Sequence, residues 1–326
     1  MTPLFGHDEA VAAFRASLDS RRLHHAWLVS GPEGVGKALF ADKAALRVLA
    51  EGQGPVQAPG LDVPDGHPAA RLVAAGSHPD LMRLERLPRD GGAGELARSI
   101  AVDQVRGLSR LFATTASLSP WRVVVIDSID DLERAAANAL LKNLEEPPPQ
   151  SLFLLVSHAP ERLLPTIRSR CRQVRLAPLE DDAMTSALRQ ALPEAGEGEI
   201  AELAAAGRGS PGRALAFQGL DIAALDRAMD ELARQGDPTN ARRSALAQSL
   251  SARSAQPRYE AFLARAPSAI AAAAKGRRGP ALAQAIGLWE RAQALASSAP
   301  RLSLDPDGVV FELAGMLAAL APPSER

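Results

Sequence analysis

Eight residues constrain this chain more than any others: Gly31-Pro32-Glu33-Gly34-Val35-Gly36-Lys37-Ala38. They follow a compact apolar run, Ala26-Trp27-Leu28-Val29-Ser30, and open a stretch in which Leu39, Phe40, Ala44, Leu46 and Leu49 recur at near-helical spacing. Strand, glycine loop and helix in that order make a setting where backbone N–H groups turn inward on phosphate oxygens. The helix N-terminus adds a favourable field, and the lysine reaches the terminal phosphates. Gly31, Gly34, Gly36 and Lys37 are therefore candidate nucleotide-binding residues. The pattern fails at its last position. A Ser or Thr hydroxyl would ligate Mg²⁺ there, and the methyl group of Ala38 cannot. ATP or ADP binding stays open on this reading, whereas metal-assisted hydrolysis is not expected.

The residues around the loop predict an α/β domain. Leu81-Met82-Arg83-Leu84 is a candidate second strand, and Val123-Val124-Val125-Ile126 is the strongest strand of all, β-branched throughout and ending at Asp127. Leu152-Phe153-Leu154-Leu155-Val156 is another, with a short strand over Gln173 to Leu176. Runs apolar at every position fit strands covered on both faces, and their alternation with helical patterns predicts a parallel sheet. Helices are expected at Ile100 to Phe112, at Leu132 to Glu146 and near Glu161, and Glu51 to His78 reads as one long loop. After Pro178 strand signals vanish and Ala, Leu, Glu and Arg dominate. Gly207-Arg208-Gly209-Ser210-Pro211-Gly212 marks a break between two helical groups.

Charge and cysteine content narrow the function classes. A formal net charge of −1 argues against a surface that grips duplex DNA alone, so nucleic acid would be bound through an assembly. The runs Arg168, Arg170, Arg172, Arg175 and Lys275-Gly276-Arg277-Arg278 are local exceptions, and the second reads as a solvated face. Cys171 is the single cysteine, which leaves no disulfide framework and no cysteine-only zinc site. His67, His78, Asp62 and Asp65 lie in the expected loop and read as ordinary polar residues, with no zinc expected. No apolar run is long enough for a membrane helix and no secretory signal opens the sequence, so the expected compartment is the cytoplasm, with no membrane partner.

Asp127 has the placement of the aspartate that, at the end of a P-loop strand, helps hold Mg²⁺. In ring-forming P-loop ATPases a water-activating glutamate usually comes next, and here the residue is Ser128. Ser128-Ile129-Asp130-Asp131 reads as a capping box for the following helix, although Asp130 is also a stand-in for the missing glutamate. The Thr166-Ile167-Arg168-Ser169-Arg170-Cys171-Arg172 segment places arginines one helix after the fourth apolar run. An arginine with no local phosphate to serve can reach a neighbour's, and such fingers contribute roughly 10³–10⁵ in rate.

Several segments resemble the bacterial clamp-loader AAA+ family: Leu23-His24-His25-Ala26-Trp27-Leu28, Gly76-Ser77-His78-Pro79-Asp80, Asn138-Ala139-Leu140-Leu141-Lys142-Asn143-Leu144-Glu145-Glu146-Pro147-Pro148, Pro160 to Cys171 and Gly209-Ser210-Pro211-Gly212. Together they are spread across most of the first 215 residues. Ser169-Arg170-Cys171 aligns with that family's arginine-finger motif, which makes Arg170 a catalytic residue acting in trans. Where the hydrolysing gamma/tau subunits have a P-loop hydroxyl, a glutamate and a sensor-2 arginine, this chain has Ala38, Ser128 and Gly212, losses that resemble the delta-prime branch. The cysteine zinc module of many relatives has no counterpart in Glu51 to His78.

The resemblance implies an α/β P-loop AAA+ domain over residues 1–178, a small helical lid over 179–220 and an all-α oligomerisation collar over 221–326. It also implies gamma/tau-like and delta-like subunits as partners, with the sliding clamp and primed DNA reached through the complex. Three other readings stand beside it: an active gamma/tau-like ATPase using Asp130, an unrelated P-loop enzyme such as a small-molecule kinase, and a scaffold in which Arg170 is structural.

Overall fold

The computed structural model describes residues 2–88, 96–113 and 115–322; the remaining residues of the first and third expected segments lie outside it. The chain separates into two compact units, one formed by residues up to Ala195 with Arg208–Arg213, the other by Gly196–Gly207 with Ala214 onward.

The first unit runs α1 (Asp8–Asp19), β1 (Ala26–Ser30), α2 (Lys37–Glu51), α3 (Pro68–Ala74), β2 (Leu81–Glu85), α4 (Val102–Arg106), α5 (Leu108–Ala113), β3 (Arg122–Asp127), α6 (Arg134–Glu145), β4 (Ser151–Ser157), α7 (Pro165–Arg168), β5 (Arg172–Arg175) and α8 (Asp181–Ala191). The strands form one parallel sheet in the order β2-β3-β4-β1-β5. Strand alternation divides the apolar residues between two layers. Trp27, Val29, Val123, Val125, Leu154 and Val156 pack with Phe14 of α1 and Phe40 of α2. Ala26, Leu28, Val124, Ile126, Phe153 and Leu155 pack with Val105, Leu108, Ala136, Leu140 and Leu144 on the other face. This is an α/β architecture, a parallel sheet buried on both sides, and it explains why the strands read as unbroken apolar runs.

Three local readings are corrected. The expected loop from Glu51 to His78 contains α3, whose first turn is capped by the His67 ring, where Nδ1 accepts from Ala69 N at 3.2 Å, with Pro68 at the first helical position. The helix expected over Ile100 to Phe112 is broken at Gly107 into α4 and α5, and Ile100 forms a bridge with Leu132 instead. Near Glu161 the chain makes a 3-10 turn at Pro160–Arg162 and then the single-turn α7.

The Gly76 to Asp80 segment has a structural task. Asp80 is buried, and its carboxylate accepts the backbone N–H groups of Ser117 (2.7 Å), Leu118 (2.8 Å) and Ser119 (3.0 Å). Three charge-assisted bonds close the turn that feeds β3. Asp80→Asn turns one acceptor into a donor facing an N–H, and is expected to cost about 1–2 kcal/mol in urea unfolding.

The second unit is helical: α9 (Glu197–Gly207), the later part of α10 (Pro211–Ala216), α11 (Ile222–Gln235), α12 (Ala241–Ser251), α13 (Gln256–Ala274), α14 (Gly279–Leu302) and α15 (Pro306–Ala318). Its centre holds Phe262, Ile270, Val310, Leu313 and Leu317, all buried. Arg265 reaches from α13 to Asp226 (2.8 Å from Nε to Oδ1) and to the Ala206 carbonyl (3.0 Å), a charge admitted to the interior because it is paired and hydrogen-bonded. Arg277, read as part of a solvated face, instead donates to the Leu320 carbonyl beyond the end of α15. No described helix is long and apolar enough to cross a membrane.

Candidate functional site

The candidate site lies at the carboxyl ends of the strands, where open α/β sheets place their ligands. The register sets Ser30 beside Ser157, Val156 beside Asp127 and Asp127 beside Glu85, so β1, β4, β3 and β2 end together. The loop after β1 keeps the left-handed turns that its glycines allow: φ is +148° at Gly31, +75° at Gly34 and +108° at Gly36. At Gly31 a Cβ would sit 2.3 Å from the Leu176 carbonyl oxygen, so only glycine fits between β1 and the chain leaving β5.

Lys37, the first residue of α2, is 3% exposed and turns back on its own loop. Its Nζ donates to the carbonyls of Gly31 (2.8 Å) and Pro32 (2.6 Å). Burial lowers its pKa, opposed by the nearby charges of Glu33, Asp130 and Asp127. A His7 ring nitrogen lies 2.9 Å from the Val35 carbonyl oxygen, and Gly212 N donates to Gly34 O at 2.8 Å. Gly212, where the gamma/tau subunits of the resemblance have an arginine, presses its backbone against the loop. A Cβ there would come within 2.9 Å of Gly34 Cα.

The acidic residues after β3 are each engaged. Asp127 Oδ2 accepts from Arg83 Nη2 at 2.8 Å, and the same guanidinium donates to Glu85 Oε2 at 2.8 Å and to Asp42. Asp130 accepts from Ser157 Oγ (2.9 Å) and from His158 N (2.6 Å), one bond on each oxygen. Asp131 pairs with Arg86 at 3.3 Å. The expected capping box does not form: Ile129–Asp131 is a separate 3-10 turn, Ser128 makes no side-chain cap bond, and α6 begins only at Arg134. Mg²⁺ does not fit this donor set, since Ala38 offers no oxygen and Asp127 is held by a guanidinium.

The loop residues Gly31, Gly34, Gly36 and Lys37 thus come together, with Asp127 near enough to act on Lys37 electrostatically. Arg170 stands apart, in the turn between α7 and β5. Its Nη1 donates to the Thr166 carbonyl (2.9 Å) and its Nη2 pairs with Glu145 Oε1 (2.8 Å). The side chain stays 34% exposed. Its neighbours in the motif are structural. Cys171 donates to the Ile167 carbonyl at 3.2 Å and burial pushes its thiol up to about 12, while the Arg172 guanidinium lies 4.7 Å from the centre of the Trp27 ring. Sequence reasoning missed Arg83, Arg86, Asp42 and Glu145. The one available signal was Arg83 itself, a lone charge inside the apolar run Leu81-Met82-Arg83-Leu84. Of the polar residues between α2 and β2, Asp62 pairs with Lys43 (2.6 Å), and His78 Nδ1 accepts from Asp80 N (3.2 Å).

A family model described as "DNA polymerase III, delta subunit" matches residues 6–180, more than half of the chain. The chain belongs to this family. The match coincides with the parallel sheet and its helices. Among curated relatives, the DNA polymerase III subunit delta' of Pseudomonas aeruginosa is 39% identical over 201 residues, covering 61% of this chain and 57% of that protein. The delta' subunit of Escherichia coli is 35% identical over 211 residues, covering 63% and 58%. A tau/gamma subunit of Haemophilus influenzae is 30% identical over 226 residues, covering 68% of this chain and 31% of its own length. The chain spans less than three-fifths of the length of these delta' relatives.

Proposed function

We propose that this chain is a delta'-like subunit of a DNA polymerase III clamp loader that does not hydrolyse ATP itself and supplies Arg170 to the ATP of an adjacent subunit. One observation carries the first half: the charged groups that hydrolysis would use are engaged within the chain. Lys37 bonds loop carbonyls, Asp127 bonds Arg83, and Asp130 has a hydrogen-bond donor on each oxygen. Sites that hydrolyse ATP present such groups to phosphate, metal and water. The rival in which Asp130 replaces the water-activating glutamate is disfavoured for the same reason.

The second half is supported by the exposure of Arg170 and by its motif. Its partners, a backbone carbonyl and a half-exposed carboxylate, are ones it can exchange for phosphate oxygens. Gamma/tau-like and delta-like subunits are the proposed neighbours, with the α11–α15 helices as the collar and the clamp and primed DNA reached through the complex. The proposed compartment is the cytoplasm. The test is the ATPase rate of a reconstituted loader containing Arg170→Ala, beside turnover by the isolated chain, which is expected to be absent.

A further inference from the structure

Arg83 is the unexplained charge of the nucleotide face. It points from β2 into three carboxylates that come from three different elements: Asp42 of α2, Glu85 two residues along its own strand, and Asp127 at the end of β3. The first of these sits one helical turn beyond Ala38, on the same side of α2. The register pairs Glu85 with Asp127, which brings their carboxylates to one end of the sheet. Burial pushes Asp42 above the usual carboxylate range, with the charges of Asp127 and Glu85 adding to the rise and Arg83 opposing it.

We propose that Arg83 is a built-in counter-ion that takes the place of a divalent cation beside Asp127 and keeps metal out of this face. Three carboxylates set against one guanidinium leave an excess of negative charge, which would draw a divalent cation if the arginine were absent. With it present, the five N–H donors of a planar, permanently charged fork satisfy oxygens on three sides at once. Mg²⁺ needs a near-octahedral shell of oxygens at about 2.0–2.1 Å, and the guanidinium on Asp127 Oδ2 sets a positive charge where such a cation would have to sit. Arg83 is thus a third barrier to hydrolysis, independent of Ala38 and Ser128. The inference rests on Asp127 being the strand-end carboxylate of a degenerate nucleotide site.

Mn²⁺ binding to the full-length chain, followed by electron paramagnetic resonance, tests this. Wild type and Asp127→Asn should bind Mn²⁺ with the same weak affinity. Arg83→Gln should gain one site at least tenfold tighter than any in wild type, and Arg83→Gln/Asp127→Asn should lose it again. A wild-type site abolished by Asp127→Asn overturns the proposal, as does a folded Arg83→Gln chain that gains no Mn²⁺. Should Arg83→Gln not fold, Arg83→Lys takes its place. The lysine keeps the charge and should still exclude Mn²⁺, and an Asp127-dependent site in that variant overturns the proposal. ATP turnover by the same samples separates the two readings. An Asp127-dependent Mn²⁺ site in the wild-type chain without turnover refutes the role of Arg83 alone, whereas turnover by the wild-type chain refutes the reading of a non-hydrolysing subunit.

Discussion

Arg170→Ala is expected to lower the ATPase rate of a reconstituted loader, with clamp and primed DNA present, at least tenfold while the complex stays assembled. Tenfold corresponds to about 1.4 kcal/mol of transition-state stabilisation, and fingers supplied in trans reach roughly 10³ or more. The guanidinium is held in readiness by Thr166 O and Glu145, on a turn between a one-turn helix and an edge strand, so its removal leaves the core untouched. Arg170→Lys should recover only part of the rate, because an ammonium keeps the charge but lacks the fork that spans two phosphate oxygens. Lys37→Ala in this same subunit should leave the rate of the complex unchanged. An intact complex with an unchanged rate after Arg170→Ala would leave the arginine a structural residue.

The second large effect is on stability. Gly34→Ala is expected to cost about 2–4 kcal/mol, combining the penalty of a left-handed L-residue with overpacking against backbone. Gly34 sits at φ +75°, and a Cβ there would lie 2.6 Å from Arg213 N and 3.1 Å from the Gly212 carbonyl carbon. Neither neighbour is a flexible side chain, so the loop or the first turn of α10 has to move. Urea unfolding in a Trp289→Phe background reads the first unit through Trp27 and Trp121. Gly66→Ala is the control, since nothing lies within 4 Å of its built Cβ and its φ is not left-handed, and it should change stability by no more than about 0.5 kcal/mol. A Gly34→Ala chain as stable as this control would mean that the loop and Gly212 do not press together in solution.

The sheet was legible because four of its five strands are written in β-branched and other apolar residues, with Asp127 and Gly31 marking where two of them stop. What local pattern missed was decided elsewhere in the chain. Helix α1 was not expected, although Ala10, Phe14 and Ser17 are buried at helical spacing; its Phe14 packs against the rings of Trp27 and Phe40, which arrive from β1 and α2. The Ile100 to Phe112 stripe has the right period, but Gly107 breaks it and Ile100 is claimed by the strand-like bridge to Leu132. The glycine loop was readable at the candidate site because its geometry is local. The engagement of Asp127, Asp130 and Asp131 was not, because it depends on the register of β2 against β3 and on the arrival of β4, which places Ser157 and His158 against Asp130.

Helix α6 has a mechanical consequence. It starts just after the turn that carries Asp130 and Asp131, and it ends at Glu145, whose carboxylate holds Arg170. Twelve residues of α-helix make a stiff rod about 18 Å long. Its inner face packs on the sheet layer through Ala136, Leu140 and Leu144. The acidic turn and the carboxylate that holds Arg170 are thus joined by one rigid element. On the proposed role of Arg170, the same rod joins the carboxyl end of β3 to the residue offered to the neighbouring subunit.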